Sequence, residues 1–286
     1  MRRHELSDAE WELLAALIPS ACRGRPRAED RRVINGMVYK IRTGVSWRDL
    51  PERYGSWKSI YTRFRRYAIA GVFTRALQQI QAQADAAGDI DWLVQIDSTI
   101  IRAHQHAAAT GRKGGSTGRT NRNDHALGRS RGGLTTKIHL ACDGRGRPLA
   151  VLMTPGQRHD GICARPLLER IRVPRAGLGR PRCRPDHVIA DKAYSSRGFR
   201  AYLRKRGIGH TIPEKSDQKR HRQNRGRRGG RPTAFDSEIY RRRNTVERCF
   251  NQLRGFRGIA TRYEKTAASY EAAVTPASLL LWARSI

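Results

Sequence analysis

The apolar residues of this chain change their spacing near residue 90, and that change limits what it can fold into. Up to about residue 80 they recur at three- and four-residue intervals. From Trp92 onward they come in short runs of strand length. A helical segment is thus followed by a mixed segment of strands and helices, and 286 residues leave room for each as a domain. The polar stretch QAQADAAGDID (81–91) separates them, giving a helical domain over 1–85 and a second domain over 86–286.

In the first segment, LSDAEWELLAALIP carries a capping box: Ser7 as N-cap, Glu10 three residues on, and Leu6 as a staple. Trp11, Leu14, Leu17 and Ile18 share a face, and Pro19 stops the helix. EDRRVINGMVYKIRTG repeats the pattern through Val33, Met37 and Ile41, with Gly44 as its end signal. SWRDLPERYGSWKSIYTRFRRYAIAG then reads as a short helix, a turn at Gly55 and a longer helix from Ser56. Trp57, Ile60, Phe64 and Tyr67 face inward, and Lys58, Arg63, Arg65 and Arg66 face outward. That arrangement fits a helix-turn-helix whose basic second helix enters a major groove. It also fits a plain bundle with a solvated basic face.

In the second segment WLVQID, TTKIHLACD and PLAVLMTPG are strand-like, and CDGRGRP turns the second into the third. GICARPLLERI reads as a helix, HVIAD as a strand, SRGFRAYLRKRG as a helix and IGHTIP as a strand, before a helical C-terminal region. The order βββαβαβ is that of a ribonuclease H-like α/β fold. No apolar run approaches the roughly 18 residues of a membrane span. Five cysteines without a CxxC pair read as small core residues of a cytoplasmic chain rather than zinc ligands.

Charge points to the partner. The chain carries 57 Lys and Arg against 25 Asp and Glu, a net charge of +32. So large an excess favours a polyanion, either a nucleic acid such as double-stranded DNA or another anionic surface. Two stretches, 111–133 and 215–232, are Gly- and Arg-rich and lack the apolar residues to pack alone. They are expected to be irregular loops that follow a phosphate backbone, with Arg222, Arg225, Arg227 and Arg228 as the contacts in the second.

Against that excess, two acids end apolar runs: Asp97 in WLVQIDST and Asp191 in VIADKAYSS. In a sheet of this order the first and fourth strands are parallel neighbours, so Asp97 and Asp191 emerge side by side. Such a pair repels unless a divalent cation bridges it. Asp143 leaves at the opposite edge. Asp160, in GQRHD, lies at the right edge but two strands away, placed to support a metal-bound water. A single strand-end Asp is equally an ordinary turn former. A third carboxylate comes from IYRRRNTVERCFNQLRGFRG. On one continuous helix at about 100° per residue, Tyr240, Arg243, Glu247 and Arg254 form a stripe about 60° wide. Val246, Phe250 and Leu253 beside it would dock the helix on the sheet.

Taken together, DST, ADKAY and the Tyr240/Arg243/Glu247/Arg254 spacing resemble the bacterial insertion-sequence DDE transposases, in the branch with a Tyr-x2-Arg-x3-Glu-x6-Lys signature. SWRDLPERYGSWKSIYTRFRRY and TRYEKTAASY resemble that branch too, so the likeness covers nearly the whole chain. Ala193 stands where the family usually has Gly, and Arg254 where it has Lys. The resemblance implies that Asp97, Asp191 and Glu247 are catalytic and hold two Mg²⁺ (or Mn²⁺) ions. Tyr240, Arg243 and Arg254 would contact DNA, with Lys192 and Tyr194 beside Asp191 as weaker candidates. The helical domain would read the element's terminal repeats, through Lys58, Arg63 and Arg65. The implied reaction cleaves the element ends and transfers their 3′-hydroxyls to target DNA, in at least a homodimer. A DNA-binding repressor or inactive relic, and a nuclease that hydrolyses without strand transfer, remain open on sequence alone.

Overall fold

The computed structural model describes residues 4–19, 29–108, 125–130 and 133–285. Four helices come first: α1 (Asp8–Ala15), α2 (Asp30–Thr43), α3 (Trp57–Ile69) and α4 (Val72–Ala86). The α1 start is fixed by the capping box, with Ser7 Oγ accepting from the Glu10 N–H at 3.1 Å and Glu10 Oε2 accepting from the Ser7 N–H at 2.8 Å. α2 ends at Gly44, whose φ of +75° suits a residue without Cβ. Between α2 and α3 lie two single 3₁₀ turns, Trp47–Asp49 and Glu52–Tyr54, in place of the one short helix expected. Ile60, Phe64 and Tyr67 on α3 are buried, as the spacing requires.

Next come β1 (Leu93–Ala103), α5 (Gln105–Ala108), β2 (Gly128–Ser130), β3 (Gly133–Cys142), β4 (Pro148–Pro155), α6 (Asp160–Glu169), β5 (His187–Ala190), α7 (Arg197–Lys205) and β6 (Gly209–Thr211). α8 (Ser216–Asn224), α9 (Ser237–Arg241), α10 (Asn244–Gly255), α11 (Arg257–Ala260), β7 (Thr261–Arg262) and α12 (Ala267–Ala283) complete the chain. The sheet runs β2-β3-β1-β5-β6, with β4 also on β3 and β7 also on β1. β1 is antiparallel to β3 and parallel to β5, and β5 is parallel to β6. This is the ribonuclease H-like order expected, enlarged by the short strands β2 and β7.

Two of the expectations about the basic stretches change. Residues 111–124, 131 and 132 lie outside the described residues, but β2 forms within the first stretch and extends the edge of β3. The second is not irregular: Ser216–Asn224 is helical, followed by a 3₁₀ turn at Gly226–Gly229. α8 has no apolar face to bury, and contacts made by Gln218 and Arg222, described below, hold it.

Helices cover both faces of the sheet, as the alternation of β1 requires. Ser98 reaches α6 on one side; Gln95, Asp97 and Thr99 reach the α10 region on the other. Val94, Ile96, Ile138 and Leu140 are at most 1% exposed. α12 continues through Pro276, and its Trp282 is fully buried, donating Nε1–H to the Pro148 carbonyl at 2.7 Å. Gln81 of α4 donates to the same carbonyl at 3.1 Å, so the N-terminal helices dock on the α12 side. α2 meets α11 almost backbone to backbone. A Cβ on Gly258 would stand 2.9 Å from the Ile41 carbonyl oxygen, which only glycine permits.

Candidate active site

The site forms where two strands part. β5 accompanies β1 only from Leu93 to Ile96, and β7 pairs with it only at Arg102 and Ala103. Ile96 lies opposite Ala190, so Asp97 and Asp191 follow at matched positions, Asp97 still inside β1 and Asp191 just past β5. The expectation that Asp97 ends its strand is thus corrected. β1 runs on to Ala103, and the partner strand is what ends. Asp191 Oδ1 accepts from the Ala193 N–H at 2.7 Å, capping the 3₁₀ turn Lys192–Tyr194.

Arg243 draws the third acid in. Its Nη2 donates to Asp97 Oδ2 at 2.7 Å and its Nη1 to Glu247 Oε1 at 2.8 Å. The continuous helix expected here is broken. α9 ends at Arg241, and bonds from Arg242 N to Ile239 O, Arg243 N to Tyr240 O and Val246 N to Arg243 O tighten the chain into a 3₁₀ step. Gln95, fully buried on β1, stabilises that step by accepting from the Val246 N–H at 3.0 Å. Glu247 nevertheless stays on the cleft side. Arg254 bonds the Thr99 hydroxyl two residues beyond Asp97.

Burial pushes the Asp97 carboxyl above its usual range, against the pull of the Ser98 N–H and Arg243; Asp191 and Glu247 add to the rise. Burial also raises Tyr240, which Arg243 opposes and the three acids reinforce, so Tyr240 belongs to the same cluster. Its ring packs 5.1 Å from that of Phe235. Among the described residues, no three His, Cys, Asp or Glu are grouped closely enough to hold a metal ion. The carboxylates converge electrostatically but do not form the tight three-acid set expected, because like charges repel and Arg243 lies between two of them.

A second network braces Asp97 from the other face of β1. Asp160, the first residue of α6, accepts from Ser98 Oγ at 2.7 Å and from Lys137 Nζ at 2.9 Å. Asp160 is therefore joined to the residue next to Asp97 rather than standing two strands away. Burial works to raise its carboxyl, but the bonds from Lys137 and Ser98 outweigh that and leave it below the ordinary range. His139 is fully buried, with Nε2 2.8 Å from Thr154 Oγ1 and Nδ1 4.0 Å from Asp160. Desolvation lowers its pKa to about 4. Tyr194 is 1% exposed, so it braces the turn after Asp191 instead of facing DNA, and burial drives its hydroxyl far upward.

Asp143 is remote in role, as expected: fully buried, it takes Arg147 Nη2 at 2.6 Å. Lys192 is exposed beside Asp191. On α3, Lys58 and Arg65 are exposed and lie over Trp57 and Tyr61. Arg63 is not available in the same way, since it pairs with Asp30 at 2.8 Å and its side chain is only 11% exposed. Arg222 pairs with Glu214, whereas Arg225, Arg227 and Arg228 are exposed. Ser98, Lys137, His139 and Gln95 were not singled out from sequence. The polar alternation Gln95, Asp97, Thr99 on an otherwise apolar strand was a legible signal for one of them.

Residues 6–77 match the family model described as "Putative transposase of IS4/5 family", and residues 90–282 match "Transposase DDE domain". A "Putative transposase for insertion sequence element IS6501" from Brucella ovis is 33% identical over 151 residues, 53% of this chain and 100% of that protein. An "Uncharacterized protein y4sN" of Sinorhizobium fredii is 39% identical over 113 residues, 38% of this chain and 86% of that protein. Among solved structures, the "Mos1 transposase paired-end complex with left transposon end" aligns over 82% of this chain and 81% of that one, at 11% identity and a TM-score of 0.25, too low to bear on the fold.

Proposed function

The chain belongs to the DDE transposases of bacterial insertion elements, and from that premise we propose that it cuts the DNA ends of its own element and joins the freed 3′-hydroxyls to target DNA. The observation that carries this reading is the matched placement of Asp97 and Asp191 on parallel β1 and β5, with Glu247 tied to Asp97 through Arg243.

The donor set fits a hard divalent cation. Asp97, Asp191 and Glu247 offer only carboxylate oxygens, but Arg243 occupies two of them and the three are not grouped closely enough to share an ion, so Arg243 must give way for a cation to bind. These three acids would hold Mg²⁺ or Mn²⁺, two ions in the two-metal form of this chemistry, which when bound activate the attacking oxygen and stabilise the leaving one. The side chains around them do the positioning. Asp97, desolvated and braced through Ser98, keeps one orientation. Arg243 and Arg254 present guanidinium groups along the cleft for scissile-strand phosphates. Lys192 adds an exposed cation beside Asp191, and Tyr240 offers a ring edge near the cut. The segment 1–85 would read the terminal repeats through Lys58 and Arg65 on α3, and joining two ends calls for two copies of the chain. Among the described residues no helix is long and apolar enough to cross a membrane, which fits work on DNA in the bacterial cytoplasm.

The test incubates the full chain with cloned element ends, target plasmid and Mg²⁺ or Mn²⁺, and maps products at nucleotide resolution. Cleaved ends joined to target, lost in Asp97→Asn and Asp191→Asn, are the expected result. Cleavage without joining would identify a nuclease, and binding without cleavage a repressor or an inactive copy.

A further inference from the structure

Beyond the acids, a cleft of about 400 Å³ opens between α7 and the segment that includes α8. Arg197, Arg200, Arg204, Arg222, Arg225 and Arg231 line it, with Glu214 as the one carboxylate, and Glu214 is taken by Arg222. Arg200 is the telling residue. It is 4% exposed, its Nη2 donates to Ser195 Oγ at 3.1 Å and to the Ile212 carbonyl at 2.7 Å, and its buried Nη1 has no partner. A buried guanidinium N–H that the described residues leave unpaired is costly, so this wall favours an acceptor from outside them. Burial pulls the Arg200 pKa down, with Arg204 adding to the fall and Glu214 opposing it, so an incoming anion relieves an existing strain of charge. Ser196, N-cap of the nine-residue α7, lines the same cleft, so the helix N-terminus adds its dipole. Among the described residues no Phe, Tyr or Trp lines it and His221 is the one ring present, so the lining offers a base little to stack on and a phosphate many donors.

We infer that this cleft is a phosphate subsite seating one backbone phosphate of the bound DNA strand at a fixed offset from the cleavage centre. The inference rests on the DNA-processing reading above. The offset is fixed by hydrogen bonds. Gln218 of α8 accepts from Ser195 Oγ at 2.7 Å and donates Nε2–H to the Ser195 carbonyl at 2.6 Å. Ser195 closes the turn that Asp191 caps, so α8, the cleft and the second acid form one hydrogen-bonded unit. A phosphate gripped there sets which phosphodiester reaches Asp191.

The test is a methylphosphonate walk, neutralising one phosphate at a time along an element-end duplex, on the full chain and on Arg204→Ala/Arg225→Ala. Both arginines are exposed, and a thermal melt of the variant checks that its fold is kept. One position that weakens wild-type binding should become neutral in the variant while the others keep their effect. The log–log salt slope should also fall by about 0.9 for that phosphate. A sensitivity map and slope unchanged in the variant would overturn the inference. A parallel titration of pyrophosphate distinguishes a free phosphate compound: binding that needs Arg204 and Arg225, with no position lost from the walk, assigns the cleft to that compound and overturns the strand assignment. Should the wild type bind no duplex at all, the DNA-processing reading fails, and the strand assignment fails with it.

Discussion

His139→Gln should reshape the acid stability of the fold, and the size of the effect follows from its site. The imidazole is fully buried on β3, with Nε2 on the Thr154 hydroxyl and Nδ1 unpartnered, 4.0 Å from Asp160. Desolvation holds its pKa down to about 4, against 6.5 ordinarily; Asp160 opposes the fall and Lys137 adds to it. The unfolded chain therefore takes a proton as pH drops through 6.5, while the folded chain refuses it until about 4. Stability linked to this residue is complete above pH 6.5 and is lost as the pH falls from there toward 4. At about 1.4 kcal/mol per pH unit, the loss over that window is ~3 kcal/mol. Glutamine can keep the bond to Thr154 and does not titrate. Urea melts of both proteins at pH 7, 6, 5 and 4 test this, because the other titrating groups cancel in the difference. Relative to wild type, the variant should gain ~3 kcal/mol between pH 7 and pH 4, whatever packing cost it carries at neutral pH. Parallel curves for the two proteins would refute a neutral, desolvated His139.

Three further sets of substitutions separate chemistry, specificity and stability. Glu247→Gln should abolish strand cleavage yet leave duplex affinity equal or slightly higher, since a negative charge leaves a DNA cleft; equal loss of binding, read by gel shift, would point to misfolding instead. Lys58→Ala and Arg65→Ala should lower the preference for element ends over random duplex, by about 1–3 kcal/mol for each base edge no longer read. Arg63→Ala should lower the melting temperature instead, because Arg63 is spent on Asp30; competition binding and thermal melts distinguish the two. Trp282→Ala removes a fully buried ring and its bond to Pro148, and should cost about 3–5 kcal/mol in a urea melt.

The order of elements was legible because the period of apolar residues changes from helical to strand spacing, and a short apolar run such as HVIA is hard to mistake for a loop. Asp97 and Asp191 were legible for a related reason: an acid at the end of an apolar run has few structural uses. The break at Arg242–Arg243 was not legible, since it depends on Gln95 reaching across from β1, a contact spanning 151 residues of sequence. α8 is not legible in the sequence because its stability comes from Gln218 and Arg222 bonding to residues outside the helix, so no amphipathic pattern announces it. The helical position of Arg63 points outward, but position on a wheel says nothing of Asp30 on the neighbouring helix.

The lacing of β1 to the α10 region explains why the third acid stands where it does. Along one face of the strand, Gln95 takes the Val246 N–H, Asp97 takes Arg243, and the Thr99 hydroxyl takes Arg254. These three strand residues are spaced by two, about 6.6 Å apart along β1, so the contacts fix both the height and the rotation of the helix. Hydrophobic burial of Val246, Cys249, Phe250 and Leu253 holds α10 against the sheet, but such burial is non-directional and tolerates sliding. The polar contacts do not. Glu247 follows Val246 directly, so the Gln95 bond locates it to within one residue's reach. A strand that carried Leu at 95 would keep the helix docked and lose this restraint. Gln95→Leu should therefore preserve the melting temperature within a few degrees while depressing cleavage, and a variant that cleaves at the wild-type rate would show that apolar packing alone places Glu247.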